Sequence, residues 1–134
     1  MTDIKKITQS LEGEIIDLRR RLHQNPEFAF EELKTGEIIK SFLKKHGIIY
    51  KDKIAKTGIL AEIDTKRCGK TILVRAEMDA LKISEKNDVE YKSQNEGMMH
   101  ACGHDFNIAI ALFWAAVIKR LENDISCFVR FMFQ

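Results

Sequence analysis

The chain has 134 residues, a net charge of +2, and 31% charged against 45% apolar residues. That length carries one domain with a real core, not two, and the balance excludes a wholly disordered chain. The small charge, with lysines and arginines spread among acids, gives no sign of a nucleic-acid partner.

In chain order, Ile4, Ile7, Leu11, Ile15, Leu18 and Leu22 recur at three- and four-residue steps, one stripe of an amphipathic helix. Arg19, Arg20 and Arg21 suit the negative end of its dipole. Asn25-Pro26 should stop it, because the residue before proline is pushed out of the helical region. A second helix is predicted over Phe30–Lys45, with Leu33, Ile38, Ile39, Phe42 and Leu43 on its apolar face and Gly47 at its end.

The pattern then changes. Ile48–Lys51, Gly58–Asp64 and Thr71–Glu77 read as strands, with Thr65–Lys70 the turn between the last two. Ile72-Leu73-Val74 is a continuous apolar run, which predicts a strand buried on both faces. Ala80–Gly97 is polar, irregular and long for a plain connection. It is a candidate functional loop, with one short strand around Val89–Lys92. Phe106–Leu121 reads as a mostly apolar helix carrying Trp114, and Ser126–Phe133 as a last strand. The expected fold is α/β, with helices packed on a mixed sheet. The apolar block Ile108–Ile118 is too short to span a membrane. The N-terminus lacks the apolar core of a signal peptide, so a cytoplasmic protein is expected. Cys68, Cys102 and Cys127 are an odd number without framework spacing, which argues against structural disulfides.

The chemistry concentrates in Met98–Asn107, Met-Met-His-Ala-Cys-Gly-His-Asp-Phe-Asn. His100, Cys102 and His104 alternate, so an extended backbone would turn all three side chains one way. Cys102 and His104 are donors that zinc and other transition metals accept. Gly103 suits a tight turn or a close backbone approach. Asp105 could take a ligand's spare N–H and fix its tautomer. The same residues also fit a buried cysteine in a polar loop with two solvated histidines. The sequence stops at Gln134 directly after a strand that reads as buried. Such a strand would present an apolar edge with unpaired backbone groups, open to aggregation or homo-oligomer formation. The expectation is a longer protein cut short, unless this strand lies at a sheet edge.

Five blocks are similar to one family. Leu18-Arg19-Arg20-Arg21-Leu22-His23-Gln24-Asn25-Pro26-Glu27, followed by Glu31-Glu32, resembles the N-terminal signature of the metal-dependent amidohydrolases of metallopeptidase family twenty. These act as hippurate hydrolases, N-acyl amino acid amidohydrolases and auxin-conjugate hydrolases. Thr57-Gly58-Ile59 resembles the family's Thr-Gly-Ile/Val strand, and Arg75-Ala76-Glu77-Met78-Asp79-Ala80-Leu81 its Arg-Ala-Asp-Met-Asp-Ala-Leu. Met99-His100-Ala101-Cys102-Gly103-His104-Asp105 is the family's motif unaltered. Phe131-Met132-Phe133-Gln134 is similar to the strand that leads into Pro-Ala-Glu-Glu.

The resemblance implies a two-metal site that polarises an amide carbonyl and delivers a metal-activated hydroxide. Its ions would be manganese, zinc, cobalt or nickel, and its substrate an N-acyl amino acid or related amide. By the same resemblance Cys102 and His104 match two metal ligands. Asp79, His100 and Asp105 are candidates to orient them without touching metal. For His100 a hydrogen-bonded structural role is the alternative; for Asp79, a capping or turn aspartate; for His23, helix packing near Pro26. The resemblance places the general base and the further ligands past Gln134, along with an inserted second domain. Residues 1–134 would then be the front part of a three-layer, metallo-exopeptidase-like catalytic domain, inactive alone and binding metal weakly or not at all. Two positions depart from the family: Asn107 stands where histidine is usual, and Glu77 where aspartate is usual. The other readings are a non-catalytic module that pairs through its last strand, and a bare metal or redox site on Cys102.

Overall fold

The computed structural model describes residues 3–67 and 69–134. Cys68, and with it part of the predicted Thr65–Lys70 turn, lies outside the described residues. Three helices and four strands follow in the order α1 (Ile4–Gln24), α2 (Leu33–Lys45), β1 (Ile49–Ile54), β2 (Gly58–Asp64), β3 (Thr71–Ala76), α3 (His104–Arg120) and β4 (Phe128–Phe133). No helix among the described residues is long and apolar enough to cross a membrane.

α1 starts at Asp3, whose carboxylate accepts the Lys6 N–H, and ends at Asn25, as the proline signal predicts. α2 starts three residues later than expected. Phe30 takes a left-handed conformation (φ 66°) in a turn closed by Glu31 N–H donating to the Phe28 carbonyl. Glu27 then caps the helix. Its carboxylate accepts the Lys34 and Thr35 N–H groups at 3.0 and 2.8 Å, and the Thr35 hydroxyl at 2.8 Å. Those are orphan donors of a first helical turn, so the Asn25-Pro26-Glu27 signature both stops one helix and starts the next.

The sheet order is β1-β2-β4-β3. β2 runs antiparallel to both β1 and β4, whereas β3 and β4 are parallel. Ile59, Ala61 and Ile63 pair with Phe133, Phe131 and Val129, and all six are buried. They meet Leu11, Leu22, Ile39, Leu43, Ile108 and Leu112 in one core. Burying side chains of this size contributes about 1.5–3 kcal/mol each. The alternate positions form the opposite face, where Arg130 Nε donates to Glu62 at 2.9 Å. The described residues thus make two layers, helices and sheet.

Three strand expectations are overturned. β3 is an edge strand, and Ile72 and Leu73 are half exposed rather than buried on both faces. An apolar run reports hydrophobicity and cannot report whether a neighbour arrives. β4 lies inside the sheet, hydrogen-bonded on both sides, so it is not an edge and offers no free backbone for a partner strand or self-association. The edges are β1 and β3. The short strand expected at Val89–Lys92 is instead a turn, with Lys92 N–H donating to the Val89 carbonyl.

The β1–β2 connection needs a glycine. A Cβ at Gly58 would stand 2.6 Å from the Ile54 carbonyl oxygen and 3.3 Å from that of Phe133. Both are backbone atoms that cannot swing away, which accounts for the Thr-Gly-Ile block physically. Gly58→Ala is expected to lower stability by about 1–3 kcal/mol through overpacking. Gly13→Ala, in the middle of α1 with open space around its Cβ, is expected to raise it by about 0.5–1 kcal/mol. Urea denaturation midpoints of the two variants should therefore move in opposite directions.

Candidate functional site

Parallel strands β3 and β4 end together, Ala76 beside Phe133. The pairing continues one step further, with Gln134 N–H donating to the Ala76 carbonyl and Met78 N–H to that of Gln134. Asp79 follows directly. A cavity of about 410 Å³ opens here, lined by Phe30, Glu32, Thr57, Arg75, Glu77 and Asp79 among others. Crevices beyond the carboxyl ends of strands are where open α/β sheets place ligands.

The loop between Asp79 and α3 is irregular but tied down. Leu81 and Met99 exchange two backbone hydrogen bonds at 3.0 Å. Ala80 N–H donates to the Glu27 carbonyl and Gln94 N–H to that of Gln24. The Asn95 amide donates to the Pro26 carbonyl at 2.7 Å. The loop is therefore laced onto the Gln24–Glu27 corner.

The predicted extended alternation of His100, Cys102 and His104 does not form. Ala101 and Cys102 make a turn, Gly103 caps α3 in the left-handed region (φ 80°), and His104 is the first helical residue. A Cβ at Gly103 would meet nothing within 4 Å, so its job is the dihedral angle and not a close approach. Cys102 is exposed as a free thiol and His100 is buried. The motif resists a periodicity reading because it spans a loop, a turn and a helix start.

Of the three residues considered as orienting partners, Asp79 is the one that contacts His104. His104 Nδ1 lies 2.9 Å from both the backbone carbonyl and the carboxylate Oδ1 of Asp79. Its Nδ1–H is thereby engaged, which leaves Nε2 as the nitrogen with a free lone pair. Metal-bound histidines characteristically give their second N–H to a carboxylate or carbonyl. Here the carboxylate and carbonyl beside His104 both belong to Asp79. Asp105 is completely buried and turned toward α1, where its Oδ2 accepts His23 Nδ1–H at 2.7 Å.

Neither ring nitrogen of His100 has a hydrogen-bond partner among the described residues. Burial pushes its pKa below the ordinary 6.5. Asp105 and Asp79 pull it up, while His23 and His104 push it down.

His23 was expected only to pack near Pro26. Instead it is buried between two carboxylates, with Nε2 3.0 Å from Glu85 Oε1 and Nδ1 on Asp105. Both nitrogens face carboxylate oxygens, so both are placed to donate. Arg19 Nε lies 3.0 Å from the same Asp105 oxygen, and Arg19 Nη2 is 3.3 Å from His23 Nδ1. Because that nitrogen already donates to Asp105, the Arg19 contact is proximity and not a hydrogen bond. Tyr91 meets the His23 ring edge-on at 5.8 Å, with the Arg19 and Arg20 guanidinium groups 5.3 and 5.1 Å from its own centroid. Sequence reasoning missed this cluster, whose members are up to 86 positions apart; the run of basic residues beside a motif histidine was the available hint.

Of the two departures, Glu77 is half-buried in the cavity lining and Asn107 is at the surface. Glu77 Oε1 accepts from Arg75 at 2.7 Å, and with its amide oxygen turned inward Gln134 accepts from the same guanidinium at 2.7 and 3.0 Å. Asn107 is exposed in the first turn of α3.

As a metal centre, the donor chemistry of Cys102 and His104 fits. Among the described residues, however, no group of three or more His, Cys, Asp or Glu side chains could hold an ion. A mixed sheet under helices, with a supported histidine and a thiol beyond its parallel strand ends, defines a metallo-exopeptidase-like α/β domain. Residues 73–134 match the model of peptidase family M20/M25/M40.

The N-acyl-L-amino acid amidohydrolase of Geobacillus stearothermophilus is 37% identical over 132 residues, covering 98% of this chain and 36% of the relative. The N-acetyl-L-cysteine deacetylase of Bacillus subtilis is 42% identical over 125 residues, covering 93% of this chain and 30% of the relative. A Bacillus subtilis crystal structure, described as a dinuclear metal binding peptidase from the M20 family, superimposes with a TM-score of 0.89 at 36% identity, over 94% of this chain and 36% of that one. The chain is similar to members of peptidase family M20 along nearly its whole length, and residues 73–134 carry the family match. It spans about a third of the length of these relatives.

The Glu85 carboxyl is pushed up by burial. Donors from the Ser93 N–H, His23 and Asn87 outweigh that and hold it below its ordinary 4.5. A depressed carboxylate stabilises the fold fully above its unfolded value, and the contribution is lost as pH falls through the lowered one. Glu85→Gln should therefore be less stable at neutral pH and lose less on acidification. Urea midpoints taken from neutral pH down through the carboxylate range would show the two curves converging.

Proposed function

We propose that residues 1–134 are part of the catalytic domain of a two-metal hydrolase that cleaves the amide bond of N-acyl amino acids. Cys102 and His104 are two of its metal ligands, and Asp79 holds His104 in the metal-binding tautomer. The observation that carries this reading is the double engagement of His104 Nδ1 by Asp79, which aims a basic Nε2 from the same turn that exposes the Cys102 thiol. The names of the amidohydrolase and deacetylase relatives support the substrate class, and the dinuclear description of the Bacillus subtilis structure supports the cofactor. Two divalent ions, drawn from manganese, zinc, cobalt or nickel, would supply Lewis-acid polarisation and an activated water. Arg75, Glu77 and Asp79 line the cleft in which the amide would lie.

Amide hydrolysis needs a base within hydrogen-bond reach of the water and further ligands to complete the site. The described residues do not gather them. Residues 1–134 alone are expected to show no turnover of N-acetyl or N-benzoyl amino acids with added manganese or zinc. A chimera in which they replace the matching segment of the Geobacillus stearothermophilus amidohydrolase is expected to be active. Cys102→Ala or His104→Ala should lower its kcat/KM by about 10- to 100-fold or more, as loss of metal-site residues does. A folded, metal-loaded chimera without activity would overturn the reading.

A further inference from the structure

The buried cluster around His23 is not used by the function proposed above, yet it touches every segment that carries the candidate site. α3 begins at Gly103 without a side-chain cap, so its first turn has no tether of its own at that end. Gly103 sits at φ 80° with open space where a Cβ would stand. Besides the His104–Asp79 contact, that turn is tethered by the side chain of Asp105, the residue after His104, which reaches across to α1. There it receives the His23 Nδ1–H at 2.7 Å and lies 3.0 Å from Arg19 Nε. The other nitrogen of His23 holds Glu85, in the loop that joins Asp79 to His100, and that side chain is only 3% exposed. Glu85 in turn accepts the Ser93 N–H at 2.6 Å.

We propose that His23 is a positioning residue for His104: by donating Nδ1–H to Asp105 it sets the first turn of α3, and with it the direction in which His104 presents Nε2. Its functional meaning rests on His104 being a metal ligand; the positioning itself does not. His104 is then held from two sides, its ring by Asp79 and its backbone by the Asp105–His23 bond. A charge-assisted hydrogen bond in a buried setting suits this task, being short and directional. Ligands held loosely by about 1 Å lose most of their catalytic value. The contact with Glu85 has a separate effect: it holds the loop, not the helix.

The two ring nitrogens can be tested one at a time. The amide nitrogen of His23→Asn stands near the place of Nδ1, and that of His23→Gln near the place of Nε2. In the 134-residue chain, labelled with ¹⁵N and kept at one pH, amide exchange at residues 105–108 and the His104 ring ¹⁵N shifts are compared. His23→Gln is expected to speed exchange in that turn roughly tenfold, the equivalent of one lost hydrogen bond, and to move the His104 ring shifts. His23→Asn is expected to leave both near wild type while exchange at Ser93 rises. Glu85→Gln should behave like His23→Asn. Equal shifts in His23→Asn and His23→Gln, in proportion to lost stability, would show general loosening and overturn the proposal, as would an unchanged first turn in His23→Gln. Should the histidine variants fail to fold, the wild-type chain still decides. A slowly exchanging His23 Nδ1–H resonance close to the protons of Asp105 is expected, and its absence at mildly acidic pH overturns the donor geometry. An inactive chimera would sink the metal reading and leave these outcomes standing.

Discussion

Two parallel neighbours in a sheet cannot be joined by a hairpin; the chain must travel back outside the sheet before the second strand begins. β3 and β4 impose that constraint here, and α3 with its long preceding loop satisfies it. The consequence is spatial. Asp79 leaves the end of β3 at the rim where β4 also ends, and α3 starts its return from the same rim. His104 therefore lands within hydrogen-bond reach of Asp79 although 25 positions separate them.

The return path must also be held against the body of the domain. Apolar packing does this along most of α3, where Ile108, Ala111, Leu112, Ala115 and Ala116 join the core. Its first turn relies on charge instead. Burying Asp105, His23 and Glu85 carries a desolvation cost that each partner offsets for the other, and a buried network of this kind is weak evidence for stability. What such a network supplies is direction: each bond is defined to a few tenths of an ångström, whereas aliphatic contacts tolerate sliding. Helix packing with a polar, directional foot serves a helix that starts beside a reactive cleft.

The signature around Asn25-Pro26-Glu27 has a comparable logic. Asn25 donates to the Arg21 carbonyl, the Glu27 carboxylate caps α2, and the backbone of residues 24–27 receives three donors from the loop. The corner is a hub for main-chain groups that an irregular loop would otherwise leave unsatisfied. Loop order thus comes from the far end of α1 and not from the loop's own composition.

Local patterns were legible without coordinates. Six apolar positions at helical spacing defined α1, Gly58–Asp64 read as a strand, and the Met-His-Ala-Cys-Gly-His-Asp block pointed to metal chemistry, because periodicity, strand propensity and donor type are all written in neighbouring residues. Only the tertiary structure decided the rest: that β4 is interior and β3 an edge, that Asp79 rather than Asp105 contacts the His104 ring, and that His23 joins α1 to α3. Those outcomes turn on which surfaces meet. A carboxylate's partner is set by the nearest donor in space, and for Asp105 that donor lies 82 positions away on another helix.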